Sequence, residues 1–370
     1  MVEKTSIAHG ALVQVLDAAR GQAHKGHRVV VVTRPSPEIS RLCREAGCRH
    51  VPLALWHRLD LYSMRRLVGL QELLRPDVVH AHMGVAHAVA VGACLLGARP
   101  PLIVSRGVSF PIPTLSRLKY SSHHVRRVIA VSEAVRRVVL ESTGLPEDRV
   151  VVVYGGTDPA IFNPRRTSPG RVRRELGIPS RAPVIGLVGI RDWKGWREAM
   201  SALPAIMAVH PKTRLLLAGA VSESRRRRVL ELAGEMGLLK SVVAAGVRRD
   251  MPDLLAACDV FVDPSWAGTG ITGTLREAMC LGKPVVATGI AGNPELVEHE
   301  VSGLLIPPRE TKPLAAAVLR LLDHPELAQS LGKMARIRVR RHFSSALRVR
   351  RLEAVYRQVI AETAPREIEA

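Results

Sequence analysis

Arg191, Lys194 and Glu277 have the side-chain chemistry needed to bind a nucleoside diphosphate. The two cations lie in Gly189-Ile190-Arg191-Asp192-Trp193-Lys194-Gly195, directly after a short apolar run. An arginine offers a planar pair of donors and a lysine a point charge, while Gly189 lets the backbone approach a phosphate closely. The spacing alone is weakly specific, because two cations in a loop are commonly solvated surface residues.

A glycine-rich stretch precedes Glu277. Its residues are Gly268, Thr269, Gly270, Ile271, Thr272, Gly273 and Thr274, and a helix is expected to start there. Backbone N–H groups and the positive helix end attract phosphate, and Glu277 is placed to accept the ribose hydroxyls. The structural alternative is a helix start with a favourable acidic residue, which does not explain so many glycines. A third turn, residues 289–297, is expected to support the other two.

Helices alternate with short β-branched runs, which predicts parallel sheets. Helical spacing over residues 11–23 and 64–74 is followed by strand-like runs at 29–33 and 78–82. Further strands are expected at 101–105, 128–131, 150–153, 184–189, 214–218, 242–245, 259–263, 284–288 and 303–306. Open parallel sheets bind ligands at the carboxyl ends of their strands, where all three turns lie.

The N-terminus and two other segments depart from this alternation. Residues 1–9 are too polar for the central strand that such a sheet begins with, so we expect the first strand to be missing because the start lies too late. Residues 162–177 lack apolar periodicity and predict a linker. Residues 325–362 predict one long basic helical region. The resulting domains are 1–160, 161–345 and a helical segment 346–370.

Composition limits the partners. A chain of 370 residues exceeds one ordinary core, and a formal charge of +21 favours anionic partners. The aromatic fraction of 3% argues against a stacking platform for single-stranded nucleic acid. Five scattered cysteines predict neither disulfides nor a metal site, and the absence of an 18-residue apolar run or secretory pattern predicts a cytoplasmic protein.

Together these segments resemble the retaining, nucleotide-sugar-dependent glycosyltransferases of family 4, the group 1 glycosyl transferases. The resemblance spans nearly the whole chain. In chain order, its first four pieces are Ala23-His24-Lys25-Gly26-His27-Arg28-Val29, Pro76-Asp77-Val78-Val79-His80-Ala81-His82, Val128-Ile129-Ala130-Val131-Ser132-Glu133-Ala134 and Tyr154-Gly155-Gly156-Thr157-Asp158. The three turns described above follow them. The resemblance implies an α/β GT-B fold, in which two Rossmann-like domains face each other across a cleft and a C-terminal helix crosses back.

The resemblance also implies roles for particular residues. Arg191 and Lys194 would hold the donor diphosphate and Glu277 the ribose, as the catalytic set. The segment Gly246-Val247-Arg248 would lie beside the base, and residues 268–274 would supply N–H donors. Neither a cofactor nor a protein-bound metal is implied, because cations and helix ends stabilise the leaving nucleotide.

Two departures affect the sugar and acceptor sites. Family members usually have a second Glu eight positions before the ribose Glu. Counting back from Glu277 gives Thr269 and counting forward from Pro264 gives Gly268, so the loop is expected to be one residue longer and the sugar contact to pass to Thr269, Thr272 or backbone N–H groups. Where relatives commonly have a His, this chain has Arg106, which cannot act as a base. Arg106 either neutralises an anionic group or is a surface residue at a strand end.

Three residues are expected on the acceptor side: Gly10, His82 and Arg106. Gly10 belongs to a reduced form of the glycine loop that normally follows the first strand. His80 and His82 are spaced like metal ligands, yet no third ligand is evident, so a structural or cleft role is favoured.

The sequence therefore predicts a glycosyltransferase that moves a sugar from a nucleotide diphosphate donor to an envelope glycan or lipid-linked acceptor, as in polysaccharide or lipopolysaccharide biosynthesis. Its charge predicts peripheral association with an anionic membrane surface on the inner face. Alternatives are a non-catalytic nucleotide-sugar-binding protein and a nucleotide-sugar epimerase, which the carboxylate-poor loop disfavours. A nucleic-acid partner is not expected, because no recognition motif is present.

Overall fold

The computed structural model describes residues 1–2, 10–219 and 222–363. The chain divides into two compact units. The first comprises Met1–Gly156 together with the last helix, and the second comprises Thr157–Ser344.

The described elements alternate along the chain. The strands are β1 (Val30–Thr33), β2 (Arg49–Pro52), β3 (Val79–His82), β4 (Leu102–Arg106), β5 (Val125–Ala130), β6 (Val150–Val152), β7 (Val184–Val188), β8 (Arg214–Ala218), β9 (Val242–Gly246), β10 (Val260–Asp263), β11 (Val285–Thr288) and β12 (Leu304–Ile306). The α-helices are α1 (Gly10–Ala23), α2 (Pro37–Glu45), α3 (Leu61–Leu74), α4 (Gly84–Leu95), α5 (Thr114–Ser121), α6 (Glu133–Thr143), α7 (Pro169–Glu175), α8 (Trp196–Val209), α9 (Glu223–Glu235), α10 (Met251–Ala256), α11 (Gly273–Cys280), α12 (Asn293–Leu296), α13 (Thr311–Asp323), α14 (Pro325–His342) and α15 (Ser345–Thr363).

The first unit contains parallel strands in the order β3-β4-β5-β6 and a parallel pair, β1-β2. Met1 and Val2 lie between these two groups. Val2 pairs in parallel with His82 and donates its N–H to the Val32 carbonyl at 3.0 Å, while the His82 N–H donates to the Met1 carbonyl at 2.8 Å. Two residues thus hold the position of the strand that was expected to be missing; the rest of that segment, Glu3 to His9, lies outside the described residues.

The second unit contains one six-stranded parallel sheet in the order β12-β11-β10-β7-β8-β9. Its order reverses at β7, so the carboxyl ends of β7 and β10 are neighbours. Helices such as α8 and α13 pack their apolar sides against the sheet, and the core includes Met200, Leu203 and Leu217. The doubly wound prediction is confirmed for this unit.

The predicted linker at residues 162–177 is wrong in part, because it contains α7. Ser168 precedes the helix, Pro169 occupies its first turn, and Val172 is fully buried in the core between α7 and α10. One buried side chain per helix leaves no periodic signal. Strand β2 was not predicted either, since Arg49-His50-Val51-Pro52 is polar and only half-buried.

The helical region predicted at residues 325–362 consists of two helices. The chain leaves helical geometry at Phe343 and Ser344, where the Thr157 N–H donates to the Phe343 carbonyl at 2.9 Å and Thr157 pairs with Ser344. Helix α14 then belongs to the second unit and α15 to the first. Phe343 is nearly fully buried. The packing of this side chain holds the break between the two helices, and no glycine or proline marks it.

Candidate functional site

The loop after β7 folds Lys194 back over Gly189. Gly189 has φ +112°, and a Cβ built there would lie 3.4 Å from Lys194 Cγ. The loop continues as a 3₁₀ turn over Asp192–Lys194 and ends at Gly195, which has φ +71°. Glycine at both positions therefore permits the loop to turn and the lysine stem to lie against the backbone.

Lys194 connects this loop to the glycine-rich loop. Its Nζ donates to Thr272 Oγ1 at 2.9 Å and lies 3.9 Å from Asp263 Oδ2. The side chain is largely buried, and this desolvation lowers the pKa of Lys194, with the Asp263 carboxylate opposing the shift and the Arg191 charge adding to it. The Trp266 N–H also donates to the Trp193 carbonyl at 2.9 Å. The first and second predicted turns thus form one site.

Helix α11 begins beside Lys194. Its N-cap residue, Thr272, makes no side-chain capping hydrogen bond; its hydroxyl is instead the acceptor for Lys194. The first-turn amides of Gly273, Thr274 and Leu275 have no acceptor within the helix. A helix N-terminus with an ammonium group at its cap is suited to bind phosphate oxygens.

Glu277 lies one turn into α11. Its Oε1 would be 3.9 Å from a Cβ at Gly273, so the carboxylate folds back toward the helix start. Lys194 and Glu277 therefore both lie at the start of α11, Lys194 on the Thr272 hydroxyl and Glu277 beside Gly273. The start of this helix thus carries both a cation and a hydrogen-bond acceptor.

The third turn supports the glycine-rich loop. The Gly292 N–H donates to the Gly270 carbonyl at 2.9 Å, and a Cβ on Gly292 would lie only 2.1 Å from that oxygen. Asn293 begins α12 and its Nδ2 donates to the Thr288 carbonyl at 3.1 Å. Glycine is thus required at position 292 for the close approach of the two loops.

Three buried polar atoms at this site have no hydrogen-bond partner among the residues that the structure describes: Asp263 Oδ2, Thr269 Oγ1 and Asn293 Oδ1. Each such atom costs about 1–3 kcal/mol unless a ligand or water satisfies it. Native proteins retain few of these atoms, and a polar ligand at this site would satisfy them. Thr269 is one of the groups expected, with Thr272 and backbone N–H groups, to take over the sugar contact of the second Glu.

Arg191 lies on the same loop as Lys194 but is exposed, with its guanidinium carbon 5.5 Å from the Trp193 ring centroid. Partial burial lowers the pKa of Arg191, and the Arg225 charge adds to this effect. Arg191 therefore borders the site formed by Lys194.

Arg248 is engaged elsewhere. Its guanidinium donates to Glu175 Oε2 at 3.0 Å and to Asp250 Oδ2 at 2.7 Å. These hydrogen bonds raise the pKa of Arg248. Gly246 ends β9 with φ +65° and Val247 is half-exposed, so these two residues, and not the Arg248 side chain, remain the accessible part of the segment predicted beside the base.

The predicted acceptor-side residues lie in the first unit. Gly10 is the exposed first residue of α1. His82 ends β3, with its ring centroid 3.9 Å from that of His80, whose two nitrogens contact Tyr356 Oη and Ser105 Oγ at 2.7 Å each. Burial lowers the pKa of both histidines well below the ordinary value. Both ring nitrogens of His80 are therefore used in contacts within the unit, one of them with Tyr356 of α15.

Arg106 holds its own loop. It donates to the Phe110 carbonyl and, at 3.4 Å, to Tyr120 Oη. These contacts tie residues 107–110 to α5. They are the contacts of a loop-stabilising arginine at a strand end.

Two site residues were missed from the sequence. Asp263 ends β10 beneath Lys194, and its Oδ1 accepts from the Ser265 N–H at 3.3 Å. Arg276 is almost fully buried on α11, and its Nε donates to Thr157 Oγ1 at 2.8 Å. Asp263 could have been found as a carboxylate at the end of an apolar strand. Arg276 could have been found as a cation at a helix position otherwise expected to be buried.

None of the helices in residues 10–219 and 222–363 is both long and apolar enough to cross a bilayer. Over the same ranges, no three His, Cys, Asp or Glu side chains are grouped as metal ligands would be. All five cysteines are buried free thiols.

Two family models match the chain. The model described as Glycosyltransferase Family 4 matches residues 8–161, and the model described as Glycosyl transferases group 1 matches residues 182–324. They cover the two units in turn.

Relatives and solved structures give the same result. An uncharacterized glycosyltransferase of Methanocaldococcus jannaschii is 27% identical over 86% of each chain, and a D-inositol 3-phosphate glycosyltransferase of Thermobispora bispora is 26% identical over 96% of this chain and 91% of that protein. The crystal structure of a Rickettsia africae glycosyltransferase superposes with a TM-score of 0.86 at 20% identity, over 97% of each chain. Anabaena HepE in complex with UDP superposes with a TM-score of 0.82 at 23% identity, over 96% of this chain and 98% of that one.

Proposed function

The chain belongs to the family 4, group 1 glycosyltransferases and has their GT-B fold, and from this premise we propose that it transfers a hexosyl unit from a nucleoside diphosphate sugar with retention of configuration. The proposed acceptor is an envelope glycan or a lipid-linked saccharide. The proposed site of action is the cytoplasmic face of the membrane.

One observation carries the donor assignment: the Lys194 ammonium group bonded at 2.9 Å to the N-cap hydroxyl of α11. The phosphate oxygens of a bound diphosphate would accept hydrogen bonds from Lys194 Nζ and from the first-turn amides of α11. Glu277 would accept hydrogen bonds from the ribose hydroxyls. Thr269, buried and with an unsatisfied hydroxyl, is proposed to contact the donor sugar.

The same residues account for the chemistry. The bond between the anomeric carbon and the phosphate oxygen breaks and its electron pair stays on the nucleotide. The acceptor hydroxyl forms a bond to the anomeric carbon on the same face, and its proton passes to the departing phosphate oxygen. Negative charge grows on the leaving diphosphate, where Lys194, Arg191 and the α11 dipole stabilise it. We propose that this stabilisation needs no protein-bound metal, because fixed cations perform the role.

The proposal is tested by thermal-shift screening of nucleoside diphosphate sugars, followed by calorimetric titration and a turnover assay with and without EDTA. UDP and UDP-glucose are the first probes, because HepE was solved with each of them. Binding with sugar transfer or donor hydrolysis that survives EDTA is expected. Absence of binding across the panel would overturn the proposal.

The alternative is a non-catalytic protein that binds the same donor. It is motivated by Thr269 at the position where a carboxylate is usual in the family. Donor binding without transfer or hydrolysis, over a broad set of acceptors, would select it. Conversion of one sugar nucleotide into its epimer would instead show that the protein is a nucleotide-sugar epimerase.

A further inference from the structure

The first unit exposes four large apolar side chains in two neighbouring segments. Leu115 and Leu118 are 88% and 74% exposed on α5, whose Ser116 and Tyr120 point inward. Trp56 and Leu59 are 70% and 81% exposed in the loop between β2 and α3. Single exposed leucines are common, but four grouped together are not explained by the fold of the unit.

A direct contact joins the two segments. Arg58 Nη1 donates to Ser116 Oγ at 3.5 Å, which brings the loop carrying Trp56 and Leu59 beside α5. We call the surface formed by Trp56, Leu59, Leu115 and Leu118 the apolar face.

Exposed arginines lie in the same segments as the apolar face. Residues 54–71 and 107–127 include Arg58, Arg65, Arg66 and Arg117, all exposed. The single carboxylate in these two segments, Asp60, is buried and accepts hydrogen bonds from Trp56 N at 3.0 Å and from Ser63 N at 2.9 Å. The segments that carry the apolar face therefore hold more exposed cations than carboxylates, with the exposed Glu72 following near the end of α3.

A surface depression of about 530 Å³ lies beside Trp56. Arg34, Tyr62 and Arg66 line it together with Trp56. The Arg34 guanidinium carbon is 5.5 Å from the Trp56 ring centroid, and its nitrogens donate to the carbonyls of Leu55 and Trp56 at 2.7–3.0 Å. Aromatic rings next to arginines are suited to the headgroup level of a bilayer, where one side is apolar and the other binds phosphate.

We propose that the apolar face docks onto an anionic lipid bilayer, with its leucines at the boundary of headgroups and acyl chains and its arginines on lipid phosphates. This inference deepens the proposed function on its acceptor side, because it assigns the surface that would bring the enzyme to a lipid-linked acceptor. The combination of apolar burial and charge attraction is what stable peripheral binding requires.

The charge distribution favours a bilayer over two other partners. A second copy of the chain, docking through the same face, would set arginine against arginine in a protein of net charge +21. A glycan would gain little from Leu115 and Leu118, which offer neither hydrogen bonds nor a flat ring. An anionic bilayer satisfies both the leucines and the arginines.

The experiment measures partitioning of the full chain onto phosphatidylcholine vesicles with and without phosphatidylglycerol. The double variant Leu115→Gln/Leu118→Gln and the charge variant Arg65→Glu/Arg117→Glu should each weaken binding to the anionic vesicles about tenfold or more. The matched controls are Leu73→Gln/Leu95→Gln, which alters two equally exposed leucines near the ends of α3 and α4, and Arg181→Glu/Lys212→Glu in the second unit. Both controls should bind as the wild type does.

Trp56 provides a second readout of insertion. Vesicles with brominated acyl chains should quench tryptophan fluorescence in the wild type, and Trp56→Phe should lose most of that quenching. Titration with UDP on every variant verifies that the second unit is intact. The proposal is overturned if the wild type does not bind anionic vesicles, or if the face variants bind as tightly as their controls. Vesicle binding that depends on the face while all donors fail to bind would support the docking surface and contradict the proposed donor site.

Discussion

Lys194 combines burial, a hydrogen bond to a helix cap and a nearby carboxylate in one side chain. Burial would favour loss of its proton, while Asp263 and an arriving diphosphate favour retention. A cation held in this way is pre-positioned, so the ligand does not have to order a flexible lysine. The residue is expected to dominate diphosphate affinity.

Replacing Lys194 should test this expectation. Lys194→Ala is expected to weaken UDP binding by about 2 kcal/mol, roughly thirtyfold in Kd, because a charge-assisted hydrogen bond is lost. Lys194→Arg should recover only part of the affinity, since a planar guanidinium does not fit against Gly189. Calorimetric titration measures both, with Lys212→Ala as an exposed lysine control in the same unit. Equal affinity in the Lys194→Ala variant and the wild type would refute the role.

His87 provides a pH-dependent prediction in the first unit. Its Nε2 lies 3.0 Å from the Lys119 carbonyl, so that nitrogen carries the proton and donates, and burial lowers the pKa of His87 to about 3. Lys119, Arg106 and the edge of the Tyr120 ring, 4.6 Å away, surround it.

Above pH 6.5 this imidazole is neutral in both the folded and the unfolded states. Below that value the unfolded state binds a proton that the folded state does not, so stability falls as pH decreases toward about 3. Between pH 6.5 and 5 the loss is about 1.6 kcal/mol, because the slope rises from half its full value at pH 6.5 toward 1.36 kcal/mol per pH unit. Urea unfolding of the first unit should therefore depend less steeply on pH in His87→Gln than in the wild type; parallel profiles would show that His87 does not titrate as described.

At the scale of elements, the donor site depends on loops that touch through glycines. Gly195 has φ +71°, and a Cβ there would lie 2.1 Å from the Pro264 carbonyl oxygen. This contact holds the end of the β7 loop against the end of β10. The matched position is Gly177, which has φ +65° and no neighbour within 4 Å of a built Cβ.

Substituting these two glycines separates backbone strain from the close approach. Gly177→Ala should cost about 1 kcal/mol of unfolding free energy, the strain of a left-handed alanine. Gly195→Ala should cost about 3 kcal/mol and also weaken UDP binding, because Pro264 must move. Urea unfolding and titration measure the two effects. Similar losses in both variants would show that the loop contact is unimportant.

The features that were predicted from the sequence are those that neighbouring residues determine. The turns at Gly189, Gly268 and Gly289 were predicted because glycine marks a backbone requirement in the sequence itself. Helix α7 was not, since only Val172 of it is fully buried. The position of Asp263 beside Lys194 and the ion pair of Arg248 with Glu175 depend on residues distant in sequence, which periodicity cannot detect.

At the scale of the molecule, the chain returns to its first unit through α15. Leu352, Val355 and Val359 pack with Ile103 and Ile129 in one buried cluster. The resemblance implied a helix that crosses back, but the buried partners of α15 could not be derived from its sequence, whose apolar positions carry no information about the strands they meet.

Leucine 352 tests the assignment of α15. Leu352→Ala should destabilise the first unit by about 3 kcal/mol through loss of burial and a residual cavity, whereas Ile360→Ala, at a half-exposed position on the same helix, should cost under about 1 kcal/mol. Urea unfolding with and without UDP separates the units, because UDP should stabilise only the second. A Leu352→Ala effect that falls on the UDP-stabilised transition would contradict the assignment.

The most direct test of the donor site is a crystal structure of the protein with the nucleoside diphosphate that binds most tightly in the thermal-shift screen. We predict phosphate oxygens within hydrogen-bond distance of Lys194 Nζ and of the first-turn amides of α11, with the ribose hydroxyls on Glu277. Phosphates bound in the first unit, or at a surface away from Lys194 and Thr272, would contradict the account.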